Sequence, residues 1–218
     1  MYPAKQMRLA LYPPEMFHQY ISLIGLNGDE HLVLYDRSAL GGMIFASKAW
    51  WLLKSYGYPN VFVLNGGMPE WKRLGYETTT EIPKYPAGNP VKGSDRSFSV
   101  DFEELFDTNG LATQPANQVN LIDCRATQEF EGDAKGPFSE VAKGSRIAGF
   151  VNIPSEEYLE NGKMKNPDDI KDVLKGCSGV DSAKPSILMC NTGTKTSLAL
   201  VALKHWNPEA NVRMYNVC

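Results

Sequence analysis

The sequence predicts an α/β protein of two similar halves, each a parallel sheet flanked by helices. Three observations carry this expectation. Strand-like and helix-like segments alternate along the chain, the strand-like runs are apolar without a break, and the two halves can be laid over one another. Alternation implies βαβ units, and parallel strands covered on both faces read as continuous apolar runs. At 218 residues the chain is long enough for two small domains with packed cores.

Pro14 opens the first predicted helix, a position where its missing N–H is harmless, and Met16, Phe17, Tyr20, Ile21 and Ile24 follow at helical spacing up to Gly25. His31 to Tyr35 is a β-rich run, Ile44 to Tyr56 a helix stopped by Gly57, and Val61 to Leu64 a strand ended by Asn65-Gly66-Gly67. From Tyr76 to Ser99 apolar periodicity gives way to Thr, Pro, Gly, Lys and Ser. The chain therefore divides into a first half over 1–75, a linker over 76–99 and a second half over 100–218. In the second half, Asp101 and Glu104 form a capping-box pattern ahead of Leu105-Phe106, and Val119 to Ile122 and Gly149 to Pro154 hold strands. Asn166-Pro167 opens a helix that Gly176 is expected to close as the residue just past its end. Ser186 to Met189 is the next strand, and an apolar helical run follows from Leu198 to Leu203.

The repeat aligns Leu32 to Asp36 with Ser186 to Cys190, the helix holding Trp50-Trp51 with the one ending in Trp206, and Asn60 to Asn65 with Asn211 to Asn216. Asp36 thereby takes the place of Cys190. One copy has a nucleophile and the other a carboxylate that cannot do the same chemistry, as in a duplicated domain with a single working site.

Cys190 is the candidate nucleophile, because it stands where an apolar strand meets the small polar loop Asn191-Thr192-Gly193-Thr194-Lys195 ahead of a helix. In a strand, tight loop and helix start, loop N–H groups and the positive end of the helix dipole face the sulfur. Lys195 adds a cation nearby, and both effects favour thiolate over thiol. A buried structural cysteine is the competing reading. The remaining composition excludes several function classes. A net charge of −3 offers no basic face for nucleic acid, and no apolar run approaches membrane-spanning length. Cysteines 124, 177, 190 and 218 contain no C-x-x-C pair and the three histidines, 18, 31 and 205, are scattered, so no metal site is expected.

The chain resembles the tandem-domain rhodanese family of thiosulfate and 3-mercaptopyruvate sulfurtransferases. The matching segments, in the family's order, are Val33 to Ser38, Ala46 to Trp51, Val63 to Gly67 with Trp71, Leu121 to Arg125 with Phe130-Glu131-Gly132, Gly149 to Pro154, and Cys190 to Gly193. The resemblance implies a rhodanese-like domain in each half, the first incomplete at its N-terminus and the second at its C-terminus. It also implies a persulfide formed on Cys190 within the cradle Cys190 to Lys195. No cofactor is implied. The expected partners are a small-molecule sulfur donor and a thiol acceptor, either a thioredoxin-like protein or a low-molecular-weight thiol, and the family points to the cytoplasm or the mitochondrion. The nearly neutral loop looks like the mercaptopyruvate type, with Thr192 as a hydroxyl near the sulfur.

Two arginines that hold the donor carboxylate in the family are absent here: Glu129 replaces one, and Phe138 aligns near the other. Arg125 and Arg146 are the candidate substitutes, against the simpler readings of a loop-fixing ion pair for Arg125 and a surface residue for Arg146. Trp50, Trp51 and Trp71 are expected in the core. Two other functions compete with sulfur transfer: a rhodanese-like binding module without catalysis, and a phosphatase of the same fold. The phosphatase needs an arginine closing the cysteine loop, and the loop has none.

Overall fold

The computed structural model describes residues 11–105, 118–132 and 146–216; Phe106, Phe138 and Cys218 lie outside them. The first half contains α1 (Pro14–Leu23), β1 (Leu32–Leu34), the turn-like α2 (Ala39–Gly42), α3 (Ile44–Ser55), β2 (Val61–Val63) and α4 (Gly67–Arg73). Its strands pair in parallel, Leu32 against Val61. The linker has no regular structure before β3 (Ser99–Val100), yet it lies against the first half. Gly88 exchanges hydrogen bonds with Ser22, the Asn89 N–H reaches Asn27 Oδ1 at 2.9 Å, and the Asp95 N–H reaches the Ser55 carbonyl at 2.8 Å.

The second half continues with α5 (Phe102–Leu105), β4 (Asn120–Asp123), α6 (Thr127–Glu131), β5 (Val151–Asn152), a 3-10 turn at Ser155–Tyr158, the small antiparallel pair β6 (Leu159–Glu160) and β7 (Lys163–Met164), α7 (Pro167–Gly176), β8 (Ser186–Met189), α8 (Thr194–Trp206) and β9 (Val212–Tyr215). Four of these strands join β3 in a five-stranded parallel sheet of order β3-β9-β8-β4-β5. Every residue of β4 and of β8 is buried, the polar Asn120, Asp123 and Ser186 at their ends included.

The capping signals act as read at two helix starts. The Glu104 carboxylate accepts the Asp101 N–H at 3.1 Å, and Asn166 Oδ1 accepts the Asp169 N–H at 3.0 Å. Two expectations change. Gly176 is the last residue of α7 rather than a left-handed residue beyond it, because the chain leaves through Cys177 in extended geometry (φ −91°, ψ 112°). Trp71 is not in the core: it is 37% exposed, its ring lies 4.7 Å from that of Tyr76, and its indole N–H is satisfied by the Glu77 carbonyl. Trp50 and Trp51 are buried as expected, in a hydrophobic core shared by both halves, with Phe17, Leu188 and Leu200 among its members. Helices α3 and α8 pack against each other in it. No described helix is long and apolar enough to cross a membrane.

Asp36, beyond the end of β1, shows what the repeat did with its second loop. Its carboxylate accepts the Ser38 hydroxyl and the N–H groups of Ser38, Phe45 and Ala46, the last three at 2.7, 2.8 and 3.0 Å. Partial burial opposes ionisation, but these hydrogen bonds outweigh it and hold Asp36 below the usual carboxylate range. The first copy thus keeps an anion-holding loop and fills it with its own side chain. A depressed folded-state value means the stabilisation is complete above the unfolded value, near pH 4, and is lost as pH falls through the folded one. Asp36→Asn should therefore cost about 1 kcal/mol at neutral pH. Its gap from wild type in urea unfolding should close on acidification below about pH 4.

Candidate active site

The parallel strands of the main sheet end together at one edge, where Asp123 of β4 is paired with Met189 of β8, and Met189 with Tyr215 of β9. Such an edge, at the carboxyl ends of the strands, is where open α/β sheets bind ligands. Cys190 is the first residue beyond β8 and is 2% exposed. Four residues later α8 begins, its first-turn N–H groups having no carbonyl within the helix to serve. One of them, the Thr196 N–H, lies 3.5 Å from Cys190 Sγ and donates to it. Negative charge on that sulfur also gains from the helix dipole.

The loop between is shaped by Gly193, whose φ of +70° belongs to the left-handed region. A side chain here would overlap Asn216 Oδ1 and come 2.6 Å from Lys48 Nζ. The Gly193 carbonyl accepts both the Ser197 hydroxyl, at 2.6 Å, and the Ser197 N–H, at 3.0 Å, fixing loop to helix. Thr192 and Thr194 hydrogen-bond through their hydroxyls at 3.0 Å. Asn191 donates its amide to Glu129 Oε1 at 2.8 Å, tying the loop to α6.

Lys195 is an ion-paired cation rather than one left to face the sulfur alone. Its ammonium donates to Glu156 Oε1 at 3.0 Å and lies 3.7 Å from Glu129 Oε2, so two carboxylates compensate its charge. The rim of the cradle carries more negative than positive charge from these three side chains.

Arg125 lies at this edge, but its guanidinium clasps Asp123: Nε is 3.0 and 2.9 Å from the two carboxylate oxygens, and Nη2 is 2.6 Å from one of them. The pair is buried, and the Arg125 N–H also donates to Asp123, at 2.9 Å. Asn152 locks the same turn by donating to the Asp123 and Arg125 carbonyls, both at 2.9 Å. Arg146 is exposed, with its guanidinium 5.5 Å from the centre of the Phe130 ring. Cys124 is fully buried, and burial together with nearby Cys190 pushes its thiol well above the usual cysteine range.

Several site residues carry little local sequence signal. Lys48, on α3 of the first half, is 7% exposed; its ammonium lies 4.1 Å from the centre of the Trp51 ring and donates to Asn216 Oδ1 at 2.9 Å. The first half thereby reaches the back of the Gly193 turn. Its one sequence clue is a lysine among the small and aromatic residues of Ala46 to Trp51. Glu156 and Asn216 join the site only through the fold.

Comparison with known proteins gives a consistent result. The family described as Rhodanese-like domain matches residues 4–74 and 107–217. The Caenorhabditis elegans protein mpst-1, whose name includes the words thiosulfate sulfurtransferase, is 36% identical over 224 residues, covering 99% of this chain and 68% of that protein. The 3-mercaptopyruvate sulfurtransferase of Escherichia coli K12 is 29% identical over 209 residues, covering 93% of this chain and 68% of its own. The crystal structure of SseA from Escherichia coli, described as a 3-mercaptopyruvate sulfotransferase with the rhodanese fold, superposes with a TM-score of 0.81 at 25% identity, over 99% of this chain and 76% of that one.

Proposed function

Because the chain belongs to the rhodanese family, we propose that it is a sulfurtransferase, carrying sulfur from a small donor to a thiol or cyanide as a persulfide on Cys190. The observation that carries this reading is the Thr196 N–H on Cys190 Sγ at the start of α8. The thiolate attacks the outer sulfur of the donor, displacing sulfite from thiosulfate or the pyruvate enolate, which then takes up a proton, from 3-mercaptopyruvate. Loop and helix N–H groups hold the persulfide anion. An acceptor thiolate then attacks the outer sulfur and returns Cys190 to its thiolate form. We assign the cradle to Cys190 through Lys195, and the donor and acceptor to the classes expected from the sequence.

The division at 1–75, 76–99 and 100–218 gives the second half the chemistry and the first a supporting part through Lys48. The Asp123 clasp suits Arg125 to fixing the strand end rather than to holding a donor, and the stacking on Phe130 leaves Arg146 a surface residue. The acidic rim made by Glu129 and Glu156 favours singly charged 3-mercaptopyruvate over doubly charged thiosulfate. Steady-state kinetics with both donors tests this, and a preference for thiosulfate would contradict it. Glu129→Gln keeps an acceptor for Asn191 and removes one negative charge, so kcat/KM should rise with both donors. The gain for thiosulfate should be about threefold or more above that for mercaptopyruvate.

Lys48→Met keeps the packed stem and removes the charge from Asn216. It should lower stability by about 1–3 kcal/mol and turnover by about tenfold, with Lys48→Arg recovering part of both, as read by urea unfolding and by kcat at saturating donor.

A further inference from the structure

Cys124 stands beside the nucleophile. Asp123 is the register partner of Met189, and the Cys124 N–H donates to the Met189 carbonyl at 2.8 Å, so the next residues of the two strands are neighbours across the sheet. Those residues are Cys124 and Cys190. Packing shows that they share a face: Ile122, Cys124, Leu188 and Cys190 belong to one core cluster, whereas Leu121, Ile187 and Met189 belong to the other. Neighbouring strands run about 4.8 Å apart, within the roughly 4.4 to 6.8 Å of Cα separation that a disulfide spans. The backbone around Cys124 is also held, because its carbonyl accepts the Ser155 N–H at 3.2 Å. Sulfur transfer as described above gives Cys124 no part.

We propose that Cys124 is the resolving thiol of Cys190, displacing the leaving group that the Cys190 sulfur carries and closing a Cys124–Cys190 disulfide. Two leaving groups are relevant. On a persulfide, a bond forms between the Cys124 sulfur and the inner sulfur while the bond to the outer sulfur breaks. The outer sulfur of the anionic persulfide departs with the electron pair and takes the Cys124 proton, leaving as hydrosulfide. On a sulfenic acid, formed when hydrogen peroxide oxidises Cys190 by two electrons, the same attack expels water. In either case a dithiol reductant reopens the pair by supplying two electrons and two protons. Buried and protonated in the resting chain, Cys124 supplies the proton that the departing group needs. A chain without an acceptor thus releases sulfide and closes as a disulfide, instead of leaving Cys190 open to irreversible oxidation.

The persulfide route rests on the sulfurtransferase reading; the peroxide route does not. The test treats the full chain with stoichiometric hydrogen peroxide, or separately with 3-mercaptopyruvate without acceptor, then alkylates free thiols and maps peptides. Peroxide should yield a peptide linking Cys124 to Cys190, reversed by dithiothreitol. In Cys124→Ala, whose turnover with donor and acceptor should stay within about twofold of wild type, peroxide should drive Cys190 on to sulfinic acid. Sulfinic acid on wild-type Cys190 with Cys124 still alkylatable, or a disulfide from Cys190 to Cys177, would overturn the proposal. In the donor arm, wild type should release sulfide and form the same disulfide, while Cys124→Ala keeps a persulfide. A lasting wild-type persulfide would overturn the sulfide-releasing step. If peroxide closes the disulfide but neither chain takes sulfur from the donor, the sulfurtransferase reading fails and the resolving role stands.

Discussion

Cys190→Ser is expected to lower kcat/KM for sulfur transfer by about a thousandfold or more with either donor. A hydroxyl at that position cannot carry a sulfane sulfur, so the covalent step is lost even though the Thr196 N–H and the start of α8 remain in place. The exchange is nearly isosteric and Cys190 is buried, so stability should change by only about 1 kcal/mol. A folded variant with no turnover assigns the loss to chemistry. The comparison also separates an enzyme from a binding module, for which wild type and variant would be equally inactive and would bind a partner equally well.

Gly193→Ala should have the second largest effect, and through a different cause. At φ +70° an L-residue costs about 1–2 kcal/mol, and overlap with Asn216 and Lys48 adds a packing cost of similar size. The expected loss is about 2–4 kcal/mol of stability. Relief must come from movement of the loop, because Asn216 and Lys48 are themselves buried and bonded to each other. The Thr196 N–H that donates to the sulfur would shift with it, and kcat should fall by about a hundredfold. Urea unfolding beside kcat at saturating donor checks both effects, and an unchanged midpoint would contradict the left-handed turn against Asn216.

What the sequence disclosed was local. Ser186 to Met189, the small loop and the helix that follows are contiguous, so the strand, the turn and the candidate nucleophile could be read in one pass. Asp36 was recognisable as the counterpart of Cys190 because the repeat keeps its order, and in both copies backbone N–H groups beyond the strand donate to that side chain. Longer-range partners were beyond reach. Lys195 read as a cation beside the sulfur, and only the fold brings Glu129 and Glu156 to it. Lys48 and Asn216 meet from opposite halves of the chain, so no spacing rule connects them. Arg125 sits two residues from its carboxylate partner; the spacing allowed that pair, but only the fold shows its burial and two-pronged geometry. Cys124 and Cys190 are likewise neighbours through strand register alone.

The central claim is that Cys190 carries the sulfur. The most direct measurement is the mass of the Cys124→Ala chain, which lacks the neighbouring thiol, after stoichiometric 3-mercaptopyruvate and, separately, thiosulfate, followed by peptide mapping. One added sulfur on the Cys190 peptide, removed by an acceptor thiol and absent when Cys190 is also changed to serine, is the predicted result. A folded chain that takes no sulfur from either donor, or takes it on Cys177 while Cys190 stays bare, would contradict the account.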